Sequence, residues 1–312
     1  MQSDYYLVPK IIRMTISAGY EAYLQLLEKV LINEVYLEQE LALKFLVDHH
    51  LQTTQNLKPR FFKAKASPDK LKKELALKLH AIEEEFTPEE REAFLEQRQE
   101  GKHIDDDVAM AVFAYSMIGK KRMQNIRYCL ERIFQNKVEG DVMECGVWKG
   151  GAAMYMQGLL KAYQEEDRNL WLADSFEGIP VSSHPSDQSF FGDVSAQTYP
   201  NLAINGDRVK NHFKKLDLLG PNVKFLKGWF HETLEKAPIS KLALLRLDGD
   251  LYDSTFDALN ALYPKVSSGG FVIIDDFGLK PCREAVEYYR AQHAIEAKLQ
   301  IIDSLGAYWQ KP

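Results

Sequence analysis

Cysteine is scarce in this chain of 312 residues. Cys129, Cys145 and Cys282 are odd in number, far apart and in no C-x-x-C pair, which excludes a zinc ribbon or a disulfide framework as the source of the fold. Long hydrophobic runs are missing too: none approaches the ~20 apolar residues that span a bilayer. The opening MQSDYYLVPKIIRMT has no basic stretch leading into an apolar core, so no signal peptide is expected. These absences predict a reduced, cytoplasmic protein with no membrane partner. Basic charge is not in excess: 39 Lys and Arg stand against 45 Asp and Glu, a net charge of −6. No basic face is expected for a phosphate backbone, and nucleic acid is not an expected partner.

Glycine is nearly absent from residues 1–100, where Gly19 stands alone, and what fills that region is helical text. Leu27, Val30, Leu31, Val35, Leu41 and Phe45 recur at roughly helical spacing. Ser67-Pro68-Asp69 reads as a helix start, and Leu71, Leu75, Leu79, Ile82 and Phe86 then form one apolar stripe. Thr87-Pro88-Glu89-Glu90 has the spacing of a capping box and predicts another helix. The expected division is a helical region over 1–100, serving as an oligomer interface, lid or docking element, and a second domain over 101–312.

After about residue 140 short β-rich runs alternate with longer helical stretches near 151–165, 207–219, 254–265 and 281–293. Val142–Cys145, Leu170–Ala173, Val223–Leu226, Leu242–Leu247 and Phe271–Ile274 are the runs. That alternation predicts an α/β fold with a mostly parallel sheet covered on both faces. Leu299–Asp303 and Ala307–Gln310, around Gly306, predict an antiparallel hairpin at its edge. Such sheets bind ligands beyond the carboxyl ends of their strands, where the polar motifs of this chain fall.

Three constellations carry the chemistry. Glu144-Cys145-Gly146-Val147-Trp148-Lys149-Gly150-Gly151 runs from a strand through a glycine-rich turn into a helix, whose first N–H groups are free for a ligand. Its glycine spacing is not the G-x-G-x-x-G of dinucleotide enzymes. Asp174-Ser175-Phe176-Glu177-Gly178 ends the next strand, where an acid can accept from both hydroxyls of a ribose; the two motifs together favour a nucleoside over a plain helix cap. The strongest signal is Leu247-Asp248-Gly249-Asp250-Leu251-Tyr252-Asp253 with Ile274-Asp275-Asp276. Carboxylates crowded at two neighbouring strand tips repel one another, and a hard divalent cation such as Mg²⁺, Mn²⁺ or Ca²⁺ removes that cost. Asp253 is read as a cap of the following helix; Asp248, Asp275 and Asp276 are read as ligands, and Asp250 as a candidate general base. Trp229 and Phe230, after Gly228, either wall an adenine or pack in the core. His184, His212 and His231 are read as surface or hydrogen-bonding histidines, and Lys120-Lys121-Arg122 as a solvated helix junction. The proline-bearing stretch 177–216 is long enough to read as a lid over an acceptor.

In order, GDVMECGVWKGG, LADSFEGIP, LKGWFHETL, LRLDGDLYDST, GGFVIIDDF and PCREAVEYYR resemble the macrocin O-methyltransferase family over residues from about 112 to 311. The resemblance implies a class I methyltransferase with a Rossmann-like, seven-stranded sheet. It implies S-adenosylmethionine as methyl donor, a divalent metal, and the sugar hydroxyl of an antibiotic as acceptor. Position by position, it makes Asp248, Asp275 and Asp276 metal ligands and Asp250 the general base. Glu144, Gly146, Asp174 and Ser175 would hold the donor, with Trp229 near its adenine and Ser116-Met117 covering it. Phe277 stands where Tyr is common in the family. The first hundred residues are not explained by the resemblance; a homo-oligomer formed through them is expected.

Overall fold

The computed structural model describes residues 17–40, 42–43, 87–99, 101, 113–192 and 200–312. The stripe expected over 71–86 lies outside them. The elements are α1 (Ala18–Leu31), α2 (Pro88–Gln99), α3 (Lys120–Gln135), β1 (Asp141–Cys145), α4 (Gly151–Ala162), β2 (Leu170–Asp174), α5 (Pro185–Phe191), α6 (Gly206–Lys215), β3 (Val223–Lys227), α7 (Phe230–Thr233), β4 (Leu242–Leu247), α8 (Tyr252–Leu262), β5 (Val266–Ile274), α9 (Lys280–Gln292), β6 (Gln300–Ile301) and β7 (Ala307–Gln310).

The strands form one sheet in the order β3-β2-β1-β4-β5-β7-β6. β3, β2, β1, β4 and β5 pair in parallel, and β7 runs antiparallel to both β5 and β6. The predicted hairpin is therefore present, with β7 lying inside the edge. The chain crosses from one half of the sheet to the other between β1 and β4, which places a crevice above their carboxyl ends.

Strand alternation divides the core in two. Val142, Leu244 and Ile273 point to the face covered by α1, α3, α4 and α6; Met143, Leu245 and Ile274 point to the face covered by α8 and α9. A strand covered on both faces has no reason to alternate apolar with polar, hence the run LALLRL in β4, buried at every position. α1 begins at Ser17, whose hydroxyl accepts from the Tyr20 N–H. It buries Leu24, Leu27 and Leu31 against the same core as α4, at about 1.5–3 kcal/mol per side chain. The described start of the helical region thus packs into the same core as the sheet. Helix α2 starts at Pro88, just after Thr87, as the sequence predicts.

In the described part of the stretch 177–216 lie α5 and α6. Helix α8 starts at Tyr252 with Leu251 as its N-cap, so Asp253 sits in the first turn and is not the cap. Among the described residues, no helix is long and apolar enough to cross a membrane.

Candidate active site

One cleft of about 340 Å³ opens above the tips of β1, β2 and β4. Its first end is built by the glycine-rich turn. Gly146 takes φ 88° and passes so close to β4 that a Cβ there would lie 1.7 Å from the Asp248 carbonyl oxygen, which is why no other residue fits. The turn continues through Trp148 at φ 45° and Gly150 at φ 89° and opens α4. Asp174 binds this turn to the tip of β2: one oxygen accepts from the Val147 N–H at 2.7 Å, the other from the Phe176 N–H at 2.7 Å. Burial pushes its carboxyl pKa up, and these backbone donors oppose the shift. Ser175 accepts from the Glu177 N–H and donates to the Gly178 carbonyl, both at 3.1 Å, which fixes the next turn. Gly146, Asp174, Ser175, Met117 and Trp229 all line the cleft.

The other end holds the carboxylates. The structure brings Asp248, Asp275 and Asp276 together, with one oxygen of each within 4.8 Å of the others. Oxygens gathered this closely from three carboxylates make a candidate cation site, and an all-oxygen set suits a hard ion. Asp250 sits beside them at φ 54°. The Leu251 N–H bonds back to the Gly249 carbonyl, closing a three-residue γ-turn around Asp250, a strained geometry. The Asp276 carboxylate holds that turn by accepting from the Asp250 N–H at 3.1 Å.

Beneath this rim lies an alternating chain of charges. The Arg246 guanidinium bonds Glu144, its cross-strand neighbour in register, through one terminal nitrogen at 2.5 Å. The same nitrogen reaches Asp248 at 2.9 Å, and the second terminal nitrogen takes Asp275. Arg122 bonds the other Asp275 oxygen and, at 3.1 Å, Asp303 of the β6–β7 turn. Six carboxylates (Glu144, Asp248, Asp250, Asp275, Asp276 and Asp303) thus surround two guanidiniums, and the excess negative charge shows in the acidities of four of them. Burial, then neighbouring carboxylates, push Asp248 up to about 6 and Asp250 up to about 7, and raise Asp276 well above the usual range. Glu144 is pushed up to about 8 by burial, against the pull of Arg246. A divalent cation would relieve that remaining excess, so the donor set fits one.

The outer wall is the segment after β2. Ile179, Pro180, Val181, Ser182 and Ser183 line the cleft, and α5 ties them down. Its buried Asp187 accepts from the Tyr252 N–H at 2.9 Å and from the Ser182 hydroxyl at 2.6 Å. The His184 ring stacks on Tyr252, centroids 3.9 Å apart and planes within 5°. His212 is buried against the Lys149 carbonyl, while His231 stands exposed on the cleft rim.

Two candidate donor residues lie behind the cleft wall. Glu144 faces Arg246, and Ser116 packs on the start of α4 with its hydroxyl accepting from the Ile118 N–H at 3.4 Å. Asp275 and Asp276 are buried and do not line the cleft; Asp248 and Asp250 do. Arg122, read from sequence as part of a solvated junction, is buried and paired with two aspartates. Arg246 was missed altogether. The signal for it was a lone arginine in an otherwise apolar strand: a residue there must find its counter-charge inside the protein.

A sheet that is parallel except for its penultimate strand in space, with ligand groups gathered above β1 and β4, is the class I methyltransferase arrangement. The solved structure of the O-methyltransferase NovP shares it, with a TM-score of 0.69 and 36% identity over 94% of this chain and 99% of that one. The family model described as macrocin-O-methyltransferase (TylF) matches residues 20–311, and the chain belongs to that family. Demethyldecarbamoylnovobiocin O-methyltransferase of Streptomyces niveus is 48% identical over 64% of this chain and 76% of its own length. Mycinamicin III 3''-O-methyltransferase of Micromonospora griseorubida is 41% identical over 70% of this chain and 85% of its own.

Proposed function

We propose that this protein transfers the methyl group of S-adenosylmethionine to a hydroxyl oxygen on a sugar of a glycosylated natural product. The observation that carries the reading is that one cleft joins the glycine turn and Asp174 at one end to Asp250 at the other. The family's activity supports methyl transfer to oxygen, and the 8-demethyl-8-(2,3-dimethoxy-alpha-L-rhamnosyl)-tetracenomycin-C 4'-O-methyltransferase of Streptomyces olivaceus, 42% identical over 63% of this chain and 76% of its own length, supports a sugar acceptor.

In this reading Asp174 and Ser175 take the ribose end of the donor, Trp229 lies against its adenine, and Met117 covers it. The acceptor enters between Val181 and Asp253. As its oxygen attacks the methyl carbon, the carbon–sulfur bond breaks to leave S-adenosylhomocysteine, and the hydroxyl proton passes to Asp250. The positive sulfonium is the electrophile, so no protein nucleophile is needed. Asp276 keeps Asp250 aimed at the cleft by holding its N–H. Asp248, Asp275 and Asp276 would hold a hard divalent cation such as Mg²⁺, which supplies Lewis-acid lowering of the hydroxyl pKa. The segment from Ile179 to Ser183 excludes water from the acceptor end.

Isothermal titration with S-adenosylhomocysteine, with Mg²⁺ and then with EDTA, tests the donor site. Mass spectrometry of a panel of glycosylated compounds and their aglycones tests the acceptor. Binding of the product with metal-dependent methylation of the glycosylated compounds alone is the expected result. Absence of nucleoside binding under both conditions sinks the proposal, and methylation of aglycones alone removes the sugar from it.

A further inference from the structure

Met117 reaches the cleft from a short strap, residues 113–119, that has no helix or strand of its own. Its backbone is held from two sides. The Tyr115 and Ser116 N–H groups both donate to the Leu31 carbonyl at the end of α1, at 2.9 and 3.1 Å. On the other side the Gly151 N–H donates to the Tyr115 carbonyl at 2.9 Å. The Lys149 ammonium crosses from the glycine-rich turn to the Ala114 carbonyl at 3.0 Å, beneath the Trp148 ring. The carbonyl of Lys149 meets His212, whose ring in turn packs edge-on against Tyr115 at 5.0 Å. The fit is close: a Cβ on Gly151 would stand 2.4 Å from the Tyr115 carbonyl oxygen and 2.5 Å from the Ser116 Cβ.

We propose that Lys149 is a positioning residue for the methyl donor, holding the 113–119 strap on the glycine-rich turn so that Met117 closes that end of the cleft. The inference rests on the donor site proposed above. Lysine suits the task because its long stem crosses the turn while its head reaches a carbonyl that the turn's own backbone cannot reach. The end of α1 is the strap's second anchor, which makes the N-terminal helix a working part of the donor site.

The test is the affinity of the folded protein for S-adenosylhomocysteine. Lys149→Met and, independently, Gly151→Ala are expected to raise its Kd about tenfold or more, the size of one lost buried hydrogen bond and the order it imposes. Lys149→Arg, which keeps a long donor, is expected to recover most of the affinity. Gly151 has a helical backbone, so its substitution perturbs the strap without forcing an unfavourable φ. A Lys149 that only stabilises the fold lowers the melting temperature and leaves this Kd unchanged. An unchanged Kd in folded Lys149→Met or in Gly151→Ala overturns the proposal. Absence of binding by the unsubstituted protein points instead to the donor-site reading itself.

Discussion

Replacing Arg246 by methionine should unfold this protein more readily than any loss of packing at that position can explain. The substitution keeps an unbranched stem of similar volume and removes the guanidinium that Glu144, Asp248 and Asp275 share. Deleting one member of a buried ion pair costs about 3–5 kcal/mol, because its partner keeps a charge that nothing answers. The three partners do not suffer equally. Asp275 retains Arg122, and the Asp248 side chain is 31% exposed, so water takes up part of its charge. Glu144 is 2% exposed, its Oε2 has no partner to begin with, and burial already holds its pKa up at about 8, so above about pH 8, where it is ionised beside Arg246, the loss concentrates there. The expected destabilisation is at the lower end, about 3 kcal/mol. Urea unfolding followed by tryptophan emission measures it, and at a slope of about 3 kcal/mol/M the midpoint drops by about 1 M. At a pH above about 8, neutralising Glu144 as well, in E144Q/R246M, should return at least about 1 kcal/mol, since the unanswered charge is then gone. A loss below about 1 kcal/mol in R246M, or a double variant no more stable than the single one, refutes the reasoning.

Other perturbations separate the parts of the site. Asp250→Asn should bind S-adenosylhomocysteine nearly as before and lose turnover by about 10²–10⁴-fold; a near-normal rate removes Asp250 as the base. Asp276→Ala should weaken Mg²⁺ binding by calorimetry and free the Asp250 turn it holds; unchanged metal affinity counts against the donor set. Burial, reinforced by Arg208, depresses the Lys149 pKa to about 8 from its ordinary 10.5. Charging Lys149 therefore opposes folding below about pH 8, and that penalty fades as pH rises from 8 to 10.5. The melting temperature of the unsubstituted protein should accordingly gain on that of Lys149→Met across this window, and parallel curves would refute the shift.

Much of the fold was legible because strands and turns are written locally. Asp174 announces the end of β2, and the pairs Asp248/Asp250 and Asp275/Asp276 announce the ends of β4 and β5, wherever the strands finally stand. Their convergence followed from parallel topology alone. Partnership across the sheet is not local, and there the reading failed. The crowding of acids was assigned wholly to a metal, whereas Arg246 and Arg122 answer part of it. Arg122 follows two lysines on a helix, and nothing within a few residues says that its side chain reaches Asp303. The stripe on α1 told which face is buried but not that α4 is what covers it. Ser116 and Glu144 sit at matching positions of the family motif and yet turn away from the cleft, because side-chain direction depends on neighbours the motif does not contain.

The chain of charges under the site also has a temporal meaning. Apart from Arg246–Asp248, its links join residues 102, 29, 153 and 181 positions apart, so each of those four requires a loop to be closed before it can form. Contacts of that separation are expected to form late in folding, so that their loss speeds unfolding more than it slows refolding, which stopped-flow folding and unfolding rates of an Arg122→Met variant would check. The carboxylate rim is then a property of the finished molecule alone. Asp303, on the β6–β7 turn, becomes as much an anchor of the carboxylate rim as Arg122, the arginine it shares with Asp275. A polypeptide cut short after α9 would keep Asp275 and Asp276 and lose Asp303, one end of their anchorage.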